Sequence, residues 1–202
     1  MDPQQLKYLE TENLILVDSL DIQIGSASKK ECHQNPLLLH RAFSVFVFRD
    51  GKLLLQKRSK YKPTFPLIWT NSCCSHPLDG EEVLDAAVRK VKHELGMDIH
   101  RDELKFVTRI IYRASSSGIW GEYELDHVFI CNLSCEREMD INPNEVADTI
   151  EVSREELSGL ILEFSPWFKL IHKHFLMDWW NNLDSLSSDQ EIHAFIDQGI
   201  QL

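Results

Sequence analysis

A chain of 202 residues with a formal net charge of -11 does not present a surface built to coat nucleic acid, so basic residues that converge in it form a local pocket for a small anion. The length suits one large domain with a core of its own. Its five cysteines, Cys32, Cys73, Cys74, Cys131 and Cys135, are an odd set, too sparse for a disulfide scaffold, and they indicate a reducing, cytosolic compartment.

In chain order, Met1-Asp2-Pro3-Gln4-Gln5-Leu6 lacks the basic and apolar regions of a secretory leader, and no later stretch approaches the ~20 apolar residues of a membrane span. The expectation is a soluble protein. Leu14 to Val17 and Ile22 to Ile24 flank Asp18-Ser19-Leu20-Asp21 as a hairpin closed by Gly25. Lys29 to His33 follows as a polar loop. A stronger hairpin joins Ala42 to Phe48 with Leu53-Leu54-Leu55 across the Asp50-Gly51 turn. Beyond a loop with Pro63 and Pro66 lies Thr70-Asn71-Ser72-Cys73-Cys74-Ser75-His76-Pro77. Asp79-Gly80-Glu81-Glu82 then offers an N-cap with an acid three residues on, opening a helix that stops at Gly96. In that helix Leu84, Val88, Val91 and Leu95 form the apolar stripe, while Lys90 and Glu94 share another face. Leu104 to Ala114 and Glu124 to Leu133 read as two strands joined by the turn-rich residues Ser115 to Gly121. Ser153-Arg154-Glu155-Glu156 is a capping box, and Ser165-Pro166 opens a further helix whose stripe is Phe168, Ile171, Phe175 and Trp179. From Asn181 onward a peripheral helix is expected.

Two thiols, an imidazole and a proline within eight residues make the Thr70 to Pro77 stretch a candidate active-site floor, because a histidine or its metal tunes a nearby cysteine. The alternative is a set of small, half-buried loop residues. Glu122 and Glu124 sit on one side of a strand and suit a shared cation. With His33, His40 and His76 they would make a mixed nitrogen and oxygen site for zinc, manganese or magnesium. The spacing of these histidines carries no metal signature, so surface roles stay open for each.

Several segments resemble the type I isopentenyl-diphosphate isomerase family, a Nudix-fold branch of isoprenoid metabolism. They are His40-Arg41-Ala42-Phe43-Ser44, Phe65-Pro66, Trp69 to Pro77, Glu94-Leu95-Gly96, Gly118 to Asp126 and Ser165-Pro166-Trp167-Phe168-Lys169, in the family's order across roughly residues 14 to 180. The resemblance implies an α+β fold, a Nudix-type α/β/α sandwich around a mixed sheet, with extra N-terminal strands and C-terminal helices. It implies interconversion of isopentenyl and dimethylallyl diphosphate through a tertiary carbocation, feeding sterol and lipid synthesis. Cys74 and Glu124 would transfer the protons, Tyr112 would bond near the glutamate, and Trp167 would face the cation. His33, His40, His76, Glu122 and Glu124 would ligate the first metal. Glu94, with the Cys74 carbonyl nearby, would hold a magnesium ion on the substrate.

The Nudix box is broken here. With Arg89 at the signature arginine, Lys90 and His93 stand where the pattern has glutamates, Glu94 and Glu81 remain, and Ser75 takes the opening glycine's place. Loss of acids removes magnesium ligands, which favours holding a diphosphate over cleaving it. The resemblance points to Lys29, Arg58, Lys62, Ser75 and Arg89 or Lys90 as the diphosphate pocket, although loop charges such as Arg58 and Lys62 are commonly just solvated. The partner is a small prenyl diphosphate, the chain a monomer, and the compartment cytosol, with peroxisome open because the ending Gly199-Ile200-Gln201-Leu202 is no Ser-Lys-Leu signal. The alternatives are a Nudix hydrolase of a nucleoside or prenyl diphosphate, and a non-catalytic metal-binding protein on the same scaffold.

Overall fold

The computed structural model describes residues 2–134 and 137–195; Cys135 and the Gly199 to Leu202 ending lie outside them. A helix the hydrophobic pattern does not announce opens the chain, α1 (Pro3–Thr11), with the Asp2 side chain accepting from the Gln4 backbone N–H and proline at the first helical position. The hairpin β1 (Asn13–Val17) and β2 (Gln23–Ser28) follows as expected. Lys29 to His33 is no loop: Ser28 and Glu31 cap each other reciprocally and nucleate a short helix, α2 (Lys29–His33). Next come β3 (His40–Arg49), β4 (Lys52–Arg58), β5 (Trp69–Thr70), β6 (Cys73–Ser75) and α3 (Val83–Leu95). The chain continues through β7 (Leu104–Ser115), β8 (Gly121–Leu133), β9 (Val146–Val152), α4 (Arg154–Gly159), α5 (Pro166–Ile171), α6 (Met177–Asn181) and β10 (Ile192–Ala194).

The strands form one mixed sheet, ordered β10-β7-β8-β3-β1-β2, with β4 and β6 also on β3 and with β5 and β9 on β4. β3 is its spine, parallel to β8 and antiparallel to β6. Side chains alternate along β3, so both faces are apolar. Phe43, Val45 and Val47 pack with Ala86, Ala87, Val91 and Leu95 of α3. Phe46 and Phe48 pack on the opposite face with Phe168, Ile171 and Trp179, the expected stripe of α5 and α6, which a π-helical turn at His172–Leu176 joins. The result is helices on both faces of a mixed, open sheet.

α3 starts at Val83 rather than beside Asp79. The Glu81 carboxylate accepts from the Leu78 N–H at 2.9 Å and pairs with Arg89 at 2.7 Å, so these residues close a turn before the helix begins. Gly96 ends it with φ of 68°, and a Cβ there would lie 2.4 Å from the Asp140 carbonyl oxygen. Past Asn181 the described residues form a 3-10 turn at Leu183–Ser185 and β10, which pairs in parallel with β7, instead of the expected helix. Among the described residues no helix is long and apolar enough to cross a membrane.

Candidate active site

Strand register explains why the site residues meet. β3 places His40 opposite Glu124 of β8, β7 places Tyr112 opposite the same glutamate, and Ser44 of β3 pairs with Cys74 of β6. α2 ends on His33, and the nearby Asn35 N–H donates to the Ile119 carbonyl at 2.9 Å, tying that segment to the loop between β7 and β8.

One ligand atom from each of His33, His40, His76, Glu122 and Glu124 lies within 4.8 Å of all the others. Nδ1 of His33 is 2.7 Å from the Lys29 carbonyl oxygen, and Nδ1 of His40 is 2.8 Å from that of Leu38. A carbonyl only accepts, so both Nδ1 atoms carry hydrogen, and each Nε2 is either bare or part of an imidazolium. Those Nε2 atoms face carboxylates: His33 to Glu122 at 2.9 Å, His40 to Glu124 at 3.6 Å, with His76 at 2.7 Å from the latter. Nε2 of His40 and Oε2 of Glu122 are buried without a hydrogen bond. Bare lone pairs directed at carboxylates repel, and three imidazolium rings with centroids 4.8 to 5.0 Å apart would repel as well. One divalent cation resolves both conflicts, so three nitrogens and two oxygens here fit a divalent metal ion. Burial, then the neighbouring His40 and His33, hold the His76 pKa well below the usual imidazole range. Burial works to lower that of His33 too, but the Glu122 carboxylate outweighs it and the net shift is upward.

Beside this cluster opens a pocket whose walls include Cys74, Tyr112, Glu124 and Trp167, with Lys29, Arg58 and Lys62 at its basic end. Burial pushes the Cys74 thiol up to about 12, even against the favourable Arg58 charge, whose Nη1 sits 3.6 Å from the sulfur. Burial also works to raise Glu124, but contacts with His40, Tyr112 and His33 outweigh it and keep the carboxyl below its ordinary range. Tyr112 donates its hydroxyl proton to Glu124. The pocket thus holds a neutral thiol and an ionised carboxylate. Trp167 is fixed by donating Nε1–H to Asn71 at 3.1 Å and by an edge contact with Phe65, and the Arg58 guanidinium lies 5.3 Å from its ring centroid.

A NUDIX domain model matches residues 38–175. Isopentenyl-diphosphate delta-isomerase of Schizosaccharomyces pombe is 44% identical, covering 94% of this chain and 92% of its own length. Isopentenyl-diphosphate Delta-isomerase 1 of Mesocricetus auratus is 43% identical, covering 93% and 92%. The chain belongs to the type I isopentenyl-diphosphate isomerase family of the Nudix superfamily. A crystal structure from Deinococcus radiodurans shares the fold at TM-score 0.59 and 18% identity, covering 81% of this chain and 99% of that one. A MutT NUDIX hydrolase from Burkholderia pseudomallei does so at TM-score 0.54 and 17% identity, covering 68% and 98%.

Within this isomerase-family chain the expected site residues fall into three groups. The five metal-site residues converge, and Cys74, Ser75, Tyr112, Glu124, Trp167, Lys29, Arg58 and Lys62 all touch the one pocket. Glu94 and Lys90 lie next to that pocket's lining, in a buried cluster: Glu94 is 3.6 Å from Lys62 and 3.4 Å from Lys90, and accepts from Gln56 at 3.1 Å. Arg89 is not brought to the pocket; it is held by Glu81, with one nitrogen 3.5 Å from the His76 carbonyl. The sequence reading passes over Gln5, Pro63 and Thr64, which line the pocket, and Glu145, which joins the lysine cluster. The Asp2-Pro3 start of α1 is the signal that would have raised Gln5; for Glu145 no local signal exists.

Proposed function

We propose that the chain interconverts isopentenyl and dimethylallyl diphosphate by proton transfer at Cys74 and Glu124. The observation that carries this is one pocket holding a protonated thiol, an ionised carboxylate and an indole face. Lys29, Arg58 and Lys62 would take the diphosphate, leaving the five-carbon tail between Cys74, Glu124 and Trp167. The thiol proton goes to the terminal methylene carbon, the double-bond pair forming the new C–H bond and leaving a tertiary cation. Glu124 then removes a proton from the carbon next to the cation, and that C–H pair becomes the new double bond. Arg58 beside the sulfur stabilises the transient thiolate, and an indole face near a desolvated cation is worth about 2 kcal/mol. One exchange with solvent returns a proton to sulfur and removes one from the carboxyl.

His33, His40, His76, Glu122 and Glu124 would hold a zinc, manganese or magnesium ion, which would neutralise charge and fix the carboxylate's position; the resemblance gives Glu94 a magnesium ion on the substrate, but its neighbours here are the Lys62 and Lys90 ammonium groups, which do not fit a cation. Lys90 and His93 replace acids that hydrolysis would need, which favours isomerisation over cleavage of the diphosphate. The reading takes the enzyme to be a monomer that acts in the cytosol, with the peroxisome as the alternative compartment. The test is an NMR assay with isopentenyl diphosphate and magnesium: dimethylallyl diphosphate should accumulate to a fixed ratio without phosphate release.

A further inference from the structure

The loop between β4 and β5 is fastened to Arg58 through both backbone and side chain. The Arg58 N–H donates to the Ile68 carbonyl at 2.9 Å, and its carbonyl accepts from Leu67 at 3.1 Å. Arg58 is 6% exposed. Its guanidinium donates to the Phe65 carbonyl at 3.1 Å, to the Thr64 carbonyl at 3.0 Å and to the Thr64 hydroxyl oxygen at 3.2 Å, with Nη1 against the Cys74 sulfur at 3.6 Å. Those contacts with Phe65, Thr64 and Cys74 occupy all but one of the guanidinium N–H groups, so Arg58 has little left to offer an anion in the pocket. The loop reaches this arrangement with φ of 45° at Phe65 and 60° at Leu67, a left-handed backbone that non-glycine residues hold only where their surroundings impose it. Part of that constraint is the Ser116 hydroxyl, which accepts from the Phe65 N–H at 3.0 Å.

Thr64 is 2% exposed and lines the pocket together with Lys62 and Arg58. Its hydroxyl oxygen already receives a proton from Arg58, so the hydroxyl's own hydrogen is free to point elsewhere, and among the described residues it is donated to no acceptor. A buried hydroxyl with an unspent hydrogen, set in a pocket with three cationic side chains, fits a negatively charged acceptor oxygen. We infer that Thr64 is a further diphosphate-binding residue: its hydroxyl accepts from Arg58 and donates to a phosphate oxygen, adding a donor that the committed guanidinium cannot supply. The inference rests on the isomerase reading for the ligand that fills the pocket. The competing account is that the hydroxyl serves only to hold Arg58, which the Phe65 and Thr64 carbonyls already hold without it.

Thr64→Val keeps the side-chain shape and removes the hydroxyl, whereas Thr64→Ser retains it. Calorimetry of the full chain with inorganic pyrophosphate, at matched metal content, should show affinity falling about tenfold in Thr64→Val and staying within about threefold in Thr64→Ser, because a hydrogen bond to a charged oxygen is worth at least tenfold. KM for isopentenyl diphosphate should rise with the loss of affinity while kcat changes less. Wild-type affinity in Thr64→Val, or an equal loss in both variants, would overturn the inference. If Thr64→Val does not fold, Thr64→Ala takes its place. Repeating the substitution in an Arg58→Ala protein separates direct contact from an effect through Arg58: direct contact predicts a further loss of about threefold or more, and no further loss overturns it. If Arg58→Ala does not fold, Arg58→Lys, which lacks the Nη2 donor, carries that comparison. Should the wild-type protein bind pyrophosphate but fail to isomerise, the isomerase reading falls and the Thr64 comparison still decides; should it bind no pyrophosphate, the inference falls while the isomerisation assay still judges the reading.

Discussion

Replacing Cys74 tests the pocket's acid directly, because its neighbour Cys73 is an internal control. The two side chains alternate across β6: Cys73 packs into the α3 side of the core and donates to Glu94 at 3.5 Å, whereas Cys74 faces the pocket. Cys74→Ala removes the proton donor, and loss of a general acid costs about 10² to 10⁴-fold in kcat. Cys74→Ser offers a far weaker acid of similar size and should recover little. Cys73→Ala should lower stability by about 1 kcal/mol through lost packing and leave turnover within a few-fold. The thiol pushed to about 12 adds a pH arm. At pH 8 roughly one Cys74 in ten thousand is thiolate, against one in ten for an unperturbed thiol of 9.0, so alkylation by iodoacetamide should be about a thousandfold slow and rise with pH. Because the acid is competent while protonated, its ionisation should not depress kcat anywhere between pH 6 and 9. Near-normal turnover by Cys74→Ala, fast alkylation of Cys74 at neutral pH, or silencing by Cys73→Ala would refute the assignment.

Trp167→Phe should lower kcat by about tenfold with a smaller change in KM, since a benzene ring is a poorer cation acceptor than indole and the Asn71 bond is lost; steady-state kinetics checks this. His40→Ala should lower bound metal and activity together, measured by elemental analysis of the sample assayed; if both survive, that imidazole is structural. Gly96→Ala should destabilise the fold by about 1 to 3 kcal/mol in denaturant titration, because φ is 68° and the added Cβ meets Asp140 backbone at 2.4 Å.

The parts of the fold that local chemistry dictates are legible in the sequence. The Asp50-Gly51 hairpin, the Gly96 stop and the apolar stripe of α5 and α6 appear where turn chemistry and periodicity put them. What escapes depends on distant partners or on polar caps. α2 has no apolar stripe and exists through the Ser28 and Glu31 capping pair, so Lys29 to His33 reads as a loop. β9 is half exposed, without clean alternation, and is specified by its pairing with β4. The site shows the same division. Glu122 and Glu124 share a strand face by simple alternation, whereas the approach of His33, His40 and His76 needs three elements in register, so residue types could nominate these histidines but their spacing could not bring them together. Glu145 is set by the long-range contact of residues 142–146 with Ser59 and α3, which no periodicity encodes.

The most direct test of the proton-transfer account is conversion of isopentenyl diphosphate in D₂O with magnesium, followed by NMR and phosphate analysis. The account predicts dimethylallyl diphosphate carrying solvent deuterium in the new methyl group, with no phosphate or pyrophosphate released. Diphosphate cleavage without isomer, or isomer formed with no deuterium incorporated even at many turnovers, would contradict it.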